Sequence, residues 1–251
     1  GKPKQIVAKI AGTVFATETI GSFLGALAAA VVLIPNWGLS LPLQSFALVF
    51  ILFSLYIFPR YFKLLSIAAL ATLIITPQPD WKWSDGNVTL LTQREGYYQT
   101  IRIYSDNTTF IRLHLGPTYE SEMSITTREP NFGYARNMVD ATGNVGGKHV
   151  LVIGGAGHSM ARALENRGAI VTEVEIDPIV AELSTEFFGP ISGDVIIQDG
   201  RAYVETAETD SFDYVLIDAF NGPQSIPAQL TTLEFFESVD RILKPDGVMV
   251  M

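Results

Sequence analysis

HVLVIGGAGHSMARALENRGAIVTEVEID, residues 149–177, decides the fold. HVLVIGG (149–155) reads as a strand of the type buried on both faces of a parallel sheet. The chain then passes through Gly154-Gly155-Ala156-Gly157 into SMARALENRG (159–168), a helix ended by Gly168. AIVTEVEID (169–177) is a second strand. Strand, glycine turn, helix and strand imply a parallel sheet with covering helices. The alternation continues downstream. PIVAELSTEFF (178–188) is a helix with Pro178 at its start. DVIIQDG (194–200) and FDYVLIDAF (212–220) are a third and a fourth strand, and LTTLEFFESVDRIL (230–243) is a helix. Lys244-Pro245-Asp246-Gly247 turns the chain into a fifth strand, VMVM. A sheet of this kind usually continues, so a fragment or an edge left open for pairing is expected.

Upstream, VTLLTQ (88–93), YQTIRIYS (98–105) and TTFIRLHL (108–115) alternate with turn residues, which predicts about three antiparallel strands. A helix is expected around Tyr134–Thr142. The soluble part therefore divides at about residue 145, into a small β-domain with a connecting helix (81–144) and a domain with a parallel sheet and covering helices (145–251).

Residues 1–80 are different in kind. They hold five basic and two acidic side chains, a net of +3, whereas residues 81–251 hold the other 12 and 24, a net of −12. Apolar runs at Ile20–Pro35 and Leu41–Phe58, both without a charge, and at Tyr61–Thr76, with Lys63 near its end, predict about three transmembrane helices and a multi-pass protein of the cell membrane. Lys63 can snorkel to the headgroups, and Trp81 and Trp83 of the linker 77–86 suit an interface. Lys2, Lys4 and Lys9 before the first run, with Arg60 and Lys63 before the third, would put residue 81 onward outside the cytosol, which conflicts with use of a cytosolic cofactor. Gly21 and Gly25 form a GxxxG face open to a membrane-protein partner or an oligomer. The acidic two-thirds argues against nucleic acid and suits a small cationic substrate. Without cysteine, and with His114, His149 and His158 at no metal-ligand spacing, no metal site is expected.

Ligands of open parallel sheets bind beyond the carboxyl ends of the strands. Those ends carry the glycine loop at 154–157, Glu175-Ile176-Asp177, Gln198-Asp199-Gly200 and Asp218-Ala219-Phe220-Asn221. Bare backbone at Gly154, Gly155 and Gly157 lets a ligand approach. Glu175, 21 residues after Gly154, can accept both hydroxyls of a ribose, and Asp199 can accept from an exocyclic adenine amine. Together these ends make a nucleoside site.

GYYQTIRIY (96–104), HVLVIGGAG (149–157), VEID (174–177), QDGRAYV (198–204), FDYVLIDAF (212–220) and LKPDGVMV (243–250) together resemble the spermidine synthase family. TETIGSFLGALAAAVVLIPNWGL resembles the membrane region of that family's branch with fused transporter-like helices. The resemblance implies an S-adenosylmethionine-type Rossmann fold behind a small β-domain. It also implies transfer of an aminopropyl group from decarboxylated S-adenosylmethionine to an amine. By that comparison Gln99 and the 154–157 loop touch the aminopropyl-sulfonium end, Glu175 the ribose and Asp199 the adenine, with Asp177 and Gly200 beside them, while Asp218 is the base. The chain departs from the family pattern at Gly157 and Asn221, each of which stands where an acid is usual, and at Arg136, in a segment near the amine site. These departures leave two alternatives: methyl transfer from intact S-adenosylmethionine, and a non-catalytic scaffold subunit of a membrane complex.

Overall fold

The computed structural model describes residues 2–34, 40–57, 87–219 and 226–251. Two compact units are present, Gly1–Trp81 and Lys82–Met251. In the first, helix α1 (Lys2–Ala28) runs on through a wider π-type turn at Ala29–Leu33, and α2 spans Ser40–Ile57. The apolar stretch Ile6–Leu33 is 28 residues long. At 1.5 Å per residue it measures about 42 Å, enough to cross a ~30 Å hydrocarbon layer. Its threonines need no outside partner: Thr13, Thr17 and Thr19 each donate to the carbonyl four residues earlier, at 3.0, 2.8 and 2.9 Å. A hydroxyl satisfied within its own helix costs little in lipid.

Of the three expected spans the structure supports one. Among the described residues only Ile6–Leu33 is long and apolar enough; the apolar part of α2, Leu41–Ser54, is shorter. The third run and the linker with Trp81 and Trp83 lie outside the described residues. A side chain added at Gly21 or Gly25 would meet nothing within 4 Å, so no described element packs on that face.

The second unit opens with an antiparallel meander of four strands, β1 (Thr89–Glu95), β2 (Thr100–Ser105), β3 (Phe110–Leu115) and β4 (Thr118–Ser124). Asp106 builds the β2–β3 turn by accepting from the amides of Thr108, Thr109 and Phe110 at 3.0, 2.8 and 3.0 Å. The fourth strand escapes a count of alternating apolar residues because TYESEMS turns only Ser121 and Met123 fully inward. Helix α3 (Gly133–Ala141) connects to the parallel sheet.

That sheet comprises β5 (His149–Ile153), β6 (Ile170–Glu175), β7 (Asp194–Ile197), β8 (Phe212–Ile217) and β9 (Leu243–Val250) in the order β7-β6-β5-β8-β9. Helices α4 (Ser159–Asn166), α5 (Pro178–Leu183), α6 (Gly200–Thr206) and α7 (Leu233–Ile242) connect the strands. Two core clusters flank the sheet, one around Val150, Val152 and Leu164, the other around Leu151, Val215 and Phe235. A third joins Ile101, Ile103, Ile111 and Leu113 of the meander to Val180, Leu183 and Phe188, which fixes the small sheet against α5.

Among the boundaries that differ from the sequence reading, three have a clear cause or form. The third strand stops at Ile197, because Asp199 caps α6 by accepting from Ala202 N at 3.0 Å. The helix after Pro178 widens to a π-type turn over Ser184–Phe188. Lys244–Gly247 is a bulge inside β9 and no separate turn: Phe212 faces Leu243 while Tyr214 faces Val248.

Candidate functional site

Strand order reverses between β5 and β8, where an open parallel sheet leaves a crevice beyond its carboxyl ends. The strand ends are locked in line by main-chain bonds, Gly154 N to Val174 O at 2.9 Å, Gln198 N to Glu175 O at 3.0 Å and Asp218 N to Ile153 O at 2.8 Å. Gly154 is required there. Its φ is +90°, and a Cβ would strike the Asp218 carbonyl of the neighbouring strand end.

Over these ends lies a cavity of about 240 Å³. Gln99, Gly154, Glu175, Asp177, Asp199, Gly200 and Asp218 all line it. Gly155 and Gly157 do not. A Cβ at Gly155 would collide with the Glu173 carboxyl, which sits behind the loop with Oε1 2.6 Å from His158 Nδ1. His158 Nε2 lies 3.2 Å from the Thr185 hydroxyl. Burial pushes the Glu173 carboxyl upward, against the pull of His158. At Gly157 φ is +76°, and a Cβ would lie 2.6 Å from Ser121 Oγ and 3.0 Å from the Phe188 ring. These two glycines make room for protein. Gly157→Asp is therefore expected to destabilise the fold by about 2–4 kcal/mol through backbone strain and overpacking, read by denaturant unfolding.

The acids differ in how far the fold already uses them. Asp177 accepts from Ile179 N at 2.9 Å as the cap of α5 and from Tyr97 N at 2.8 Å, so both its oxygens hold main chain. Asp199 has one oxygen on its cap. Glu175 accepts from Asp177 N at 2.9 Å; burial, with the fields of Glu173 and Asp177, pushes its carboxyl up to about 7. Asp218 is the least engaged. Its Oδ2 lies 3.4 Å from the Tyr134 hydroxyl, and its buried Oδ1 has no partner. Burial, the largest cause, pushes the Asp218 carboxyl up to about 8; Tyr134 opposes this and Glu120 adds to it.

Tyr98, Glu120, Tyr134 and Gln229 also line the cavity. Tyr98 lies in the GYYQTIRIY segment, Glu120 lies on β4, where no motif announced it, and no Lys or Arg lines the cavity among the described residues. Arg136 is not part of the site. Its guanidinium is held by Pro130 O and by Asn131 Oδ1, the latter at 3.0 Å. Asn221 lies outside the described residues.

A spermine/spermidine synthase domain model matches residues 131–251. Polyamine aminopropyltransferase of Chromobacterium violaceum is 37% identical over 148 residues, 55% of this chain and 56% of that protein. The polyamine aminopropyltransferase of Pyrobaculum calidifontis is 35% identical over 116 residues, 41% of this chain and 40% of its own. This chain thus spans about half the length of such relatives. Among solved structures, a probable spermidine synthase from Corynebacterium glutamicum superposes with a TM-score of 0.57 at 26% identity, covering 63% of this chain and 62% of that one. Spermidine synthase from Thermotoga maritima, at 22% identity and a TM-score of 0.51, shares the fold. Most of the strand-end cavity lies within residues 131–251, the stretch that matches the spermine/spermidine synthase domain, and over about half its length the chain is similar to polyamine aminopropyltransferases.

Proposed function

We propose that the chain is a transferase moving an aminopropyl group from decarboxylated S-adenosylmethionine to a small amine, anchored to a membrane by α1. One observation carries this reading: Asp218, buried, with an unpartnered oxygen, faces a cavity lined by four further carboxylates and by no described cation. An unpaired buried acid costs stability, and no structural bond of this fold uses Asp218 Oδ1. Glu175 would hold the ribose hydroxyls and the free edge of Asp199 the adenine amine, with Gln99 and the bare backbone at Gly154 beside the sulfonium.

Asp218 would accept a proton from the incoming ammonium, freeing the nitrogen lone pair. That pair attacks the aminopropyl carbon bonded to sulfur; the C–N bond forms, the C–S bond breaks, and neutral 5′-methylthioadenosine leaves. The sulfonium is a good leaving group, so alignment of nitrogen, carbon and sulfur does most of the remaining work. Intact S-adenosylmethionine would bring its carboxylate among five acids without a counter-cation, which favours the decarboxylated donor over methyl transfer.

Incubation with decarboxylated S-adenosylmethionine and a set of diamines is expected to release 5′-methylthioadenosine in step with the aminopropylated amine. Methylated product from the intact donor, or no product from either donor, contradicts the reading. Glu175→Gln is expected to weaken 5′-methylthioadenosine binding by roughly 10–100-fold in calorimetric titration, the worth of hydrogen bonds to a charged acceptor. Unchanged affinity would remove Glu175 from the ribose.

A further inference from the structure

We propose that Glu120 binds a protonated primary amine of the ligand opposite Asp218, and so sets the amine selectivity of the site. The inference deepens the aminopropyl-transfer reading and rests on it. Its origin is the packing of β4 on the glycine loop. With no side chain at Gly157, Ser121 comes against the loop and its hydroxyl lies 3.1 Å from that of Ser159. The Gly157 amide donates to Ser184 Oγ at 2.9 Å, which holds the loop from its other side. The neighbour of Ser121 in β4 is Glu120, and it lines the cavity.

The Glu120 carboxylate is held in place from its own strand: the Thr118 hydroxyl donates to Oε1 at 2.6 Å. Tyr134 spans the two acids, its hydroxyl 3.2 Å from the Glu120 carbonyl oxygen and 3.4 Å from Asp218 Oδ2. Two carboxylates thus face one volume from separate elements, β4 and the end of β8. The charge of Glu120 raises the cost of ionising Asp218, and a cation between the two carboxylates relieves it. The negative field of Glu120 pushes both the Asp218 carboxyl and the Tyr134 hydroxyl upward. The glycine loop itself has no space for a carboxylate at Gly157, where a Cβ would meet Ser121 and Phe188, so the negative charge on this side of the cavity comes from Glu120.

The protonated amine could be the donor's own aminopropyl terminus or the distal nitrogen of the acceptor, and one set of titrations separates them. In Glu120→Gln, which keeps the shape and an oxygen for Thr118, 5′-methylthioadenosine should bind as in the parent, since it has no amine to engage Glu120. If Glu120 holds the donor amine, affinity for decarboxylated S-adenosylmethionine falls on the order of 10–100-fold. If it holds the acceptor, the acceptor KM rises by a similar factor while kcat changes little. In both cases the rising limb of the pH–rate profile moves to lower pH, because Asp218 loses a negative neighbour; the change in donor affinity or acceptor KM beside normal 5′-methylthioadenosine binding is what a purely structural role would not give. Normal 5′-methylthioadenosine binding with donor affinity, acceptor KM and pH limb all unchanged overturns the proposal. Failure of the parent protein to bind 5′-methylthioadenosine overturns the nucleoside reading first, and this inference falls with it.

Discussion

Asp218→Asn is expected to lower turnover by roughly 10²–10⁴-fold, the usual contribution of a positioned base, while making the protein more stable above neutral pH. Both effects come from the same burial. The folded carboxyl is pushed up to about 8 from an ordinary value of 3.8. Below pH 3.8 the group is protonated in both folded and unfolded chains and costs nothing. Between 3.8 and 8 the unfolded chain releases the proton and the folded chain keeps it, so stability declines as pH rises. Above about pH 8 the penalty is complete. The asparagine variant escapes it. Thermal unfolding at pH 5 and pH 8 should show a small advantage for the variant at the lower pH and on the order of 2 kcal/mol at the higher. In the parent, kcat/KM should rise with pH and level off near 8 as Asp218 gives up its proton. A variant that keeps activity, or that loses stability at pH 8, would show that Asp218 is held for structure.

Gly154→Ala should damage fold and function together. The position has φ +90°, and its Cβ would meet the Asp218 carbonyl oxygen and carbon and, at 3.0 Å, the Ala219 nitrogen. All three are backbone atoms, so no rotamer can give way. Strain at a positive φ costs about 1–3 kcal/mol, and overpacking against fixed atoms costs about 1–3 kcal/mol more. Relief requires the end of β8 to shift away from β5, which carries the Asp218 carboxyl with it. Denaturant unfolding is expected to show a loss of about 3–5 kcal/mol, and folded variant recovered at low temperature should retain only a small fraction of activity. A loss of activity without destabilisation would place Gly154 against the ligand alone.

These two residues also show what could be read from the sequence. The βαβ alternation from His149 onward is carried by apolar runs and by Gly168 and Pro178, so the parallel sheet and its strand ends follow from local pattern. Acids at the ends of β6 and β8, and just beyond β7, share a cavity because the topology brings all strand ends to one edge. What escaped was set by tertiary packing. β4 is mostly polar, and its neighbours rather than its pattern make it a strand. Glu120 enters the cavity because Ser121 packs on Gly157, a contact 36 residues apart in sequence.

The close partners of the glycines were hidden for the same reason. Missing side chains signal close approach but leave its partner unnamed. At Gly154 the partner is the Asp218 strand end, at Gly155 it is Glu173, and at Gly157 it is Ser121. Asp177 carried a local signal of its role, since an acid directly before Pro178 is a cap followed by proline at the first helical position. Of the three expected spans the described residues support one, because composition alone does not fix helix length: the apolar part of α2 stops at Ser54, and the third run lies outside the described residues.

The most direct test is a crystal structure of the chain soaked with 5′-methylthioadenosine. Its ribose hydroxyls should lie within hydrogen-bond distance of Glu175, the adenine amine near Asp199, and the sulfur beside Gly154 with Asp218 in view. A nucleoside seated elsewhere, or a ribose turned away from Glu175 in that cavity, would contradict the account.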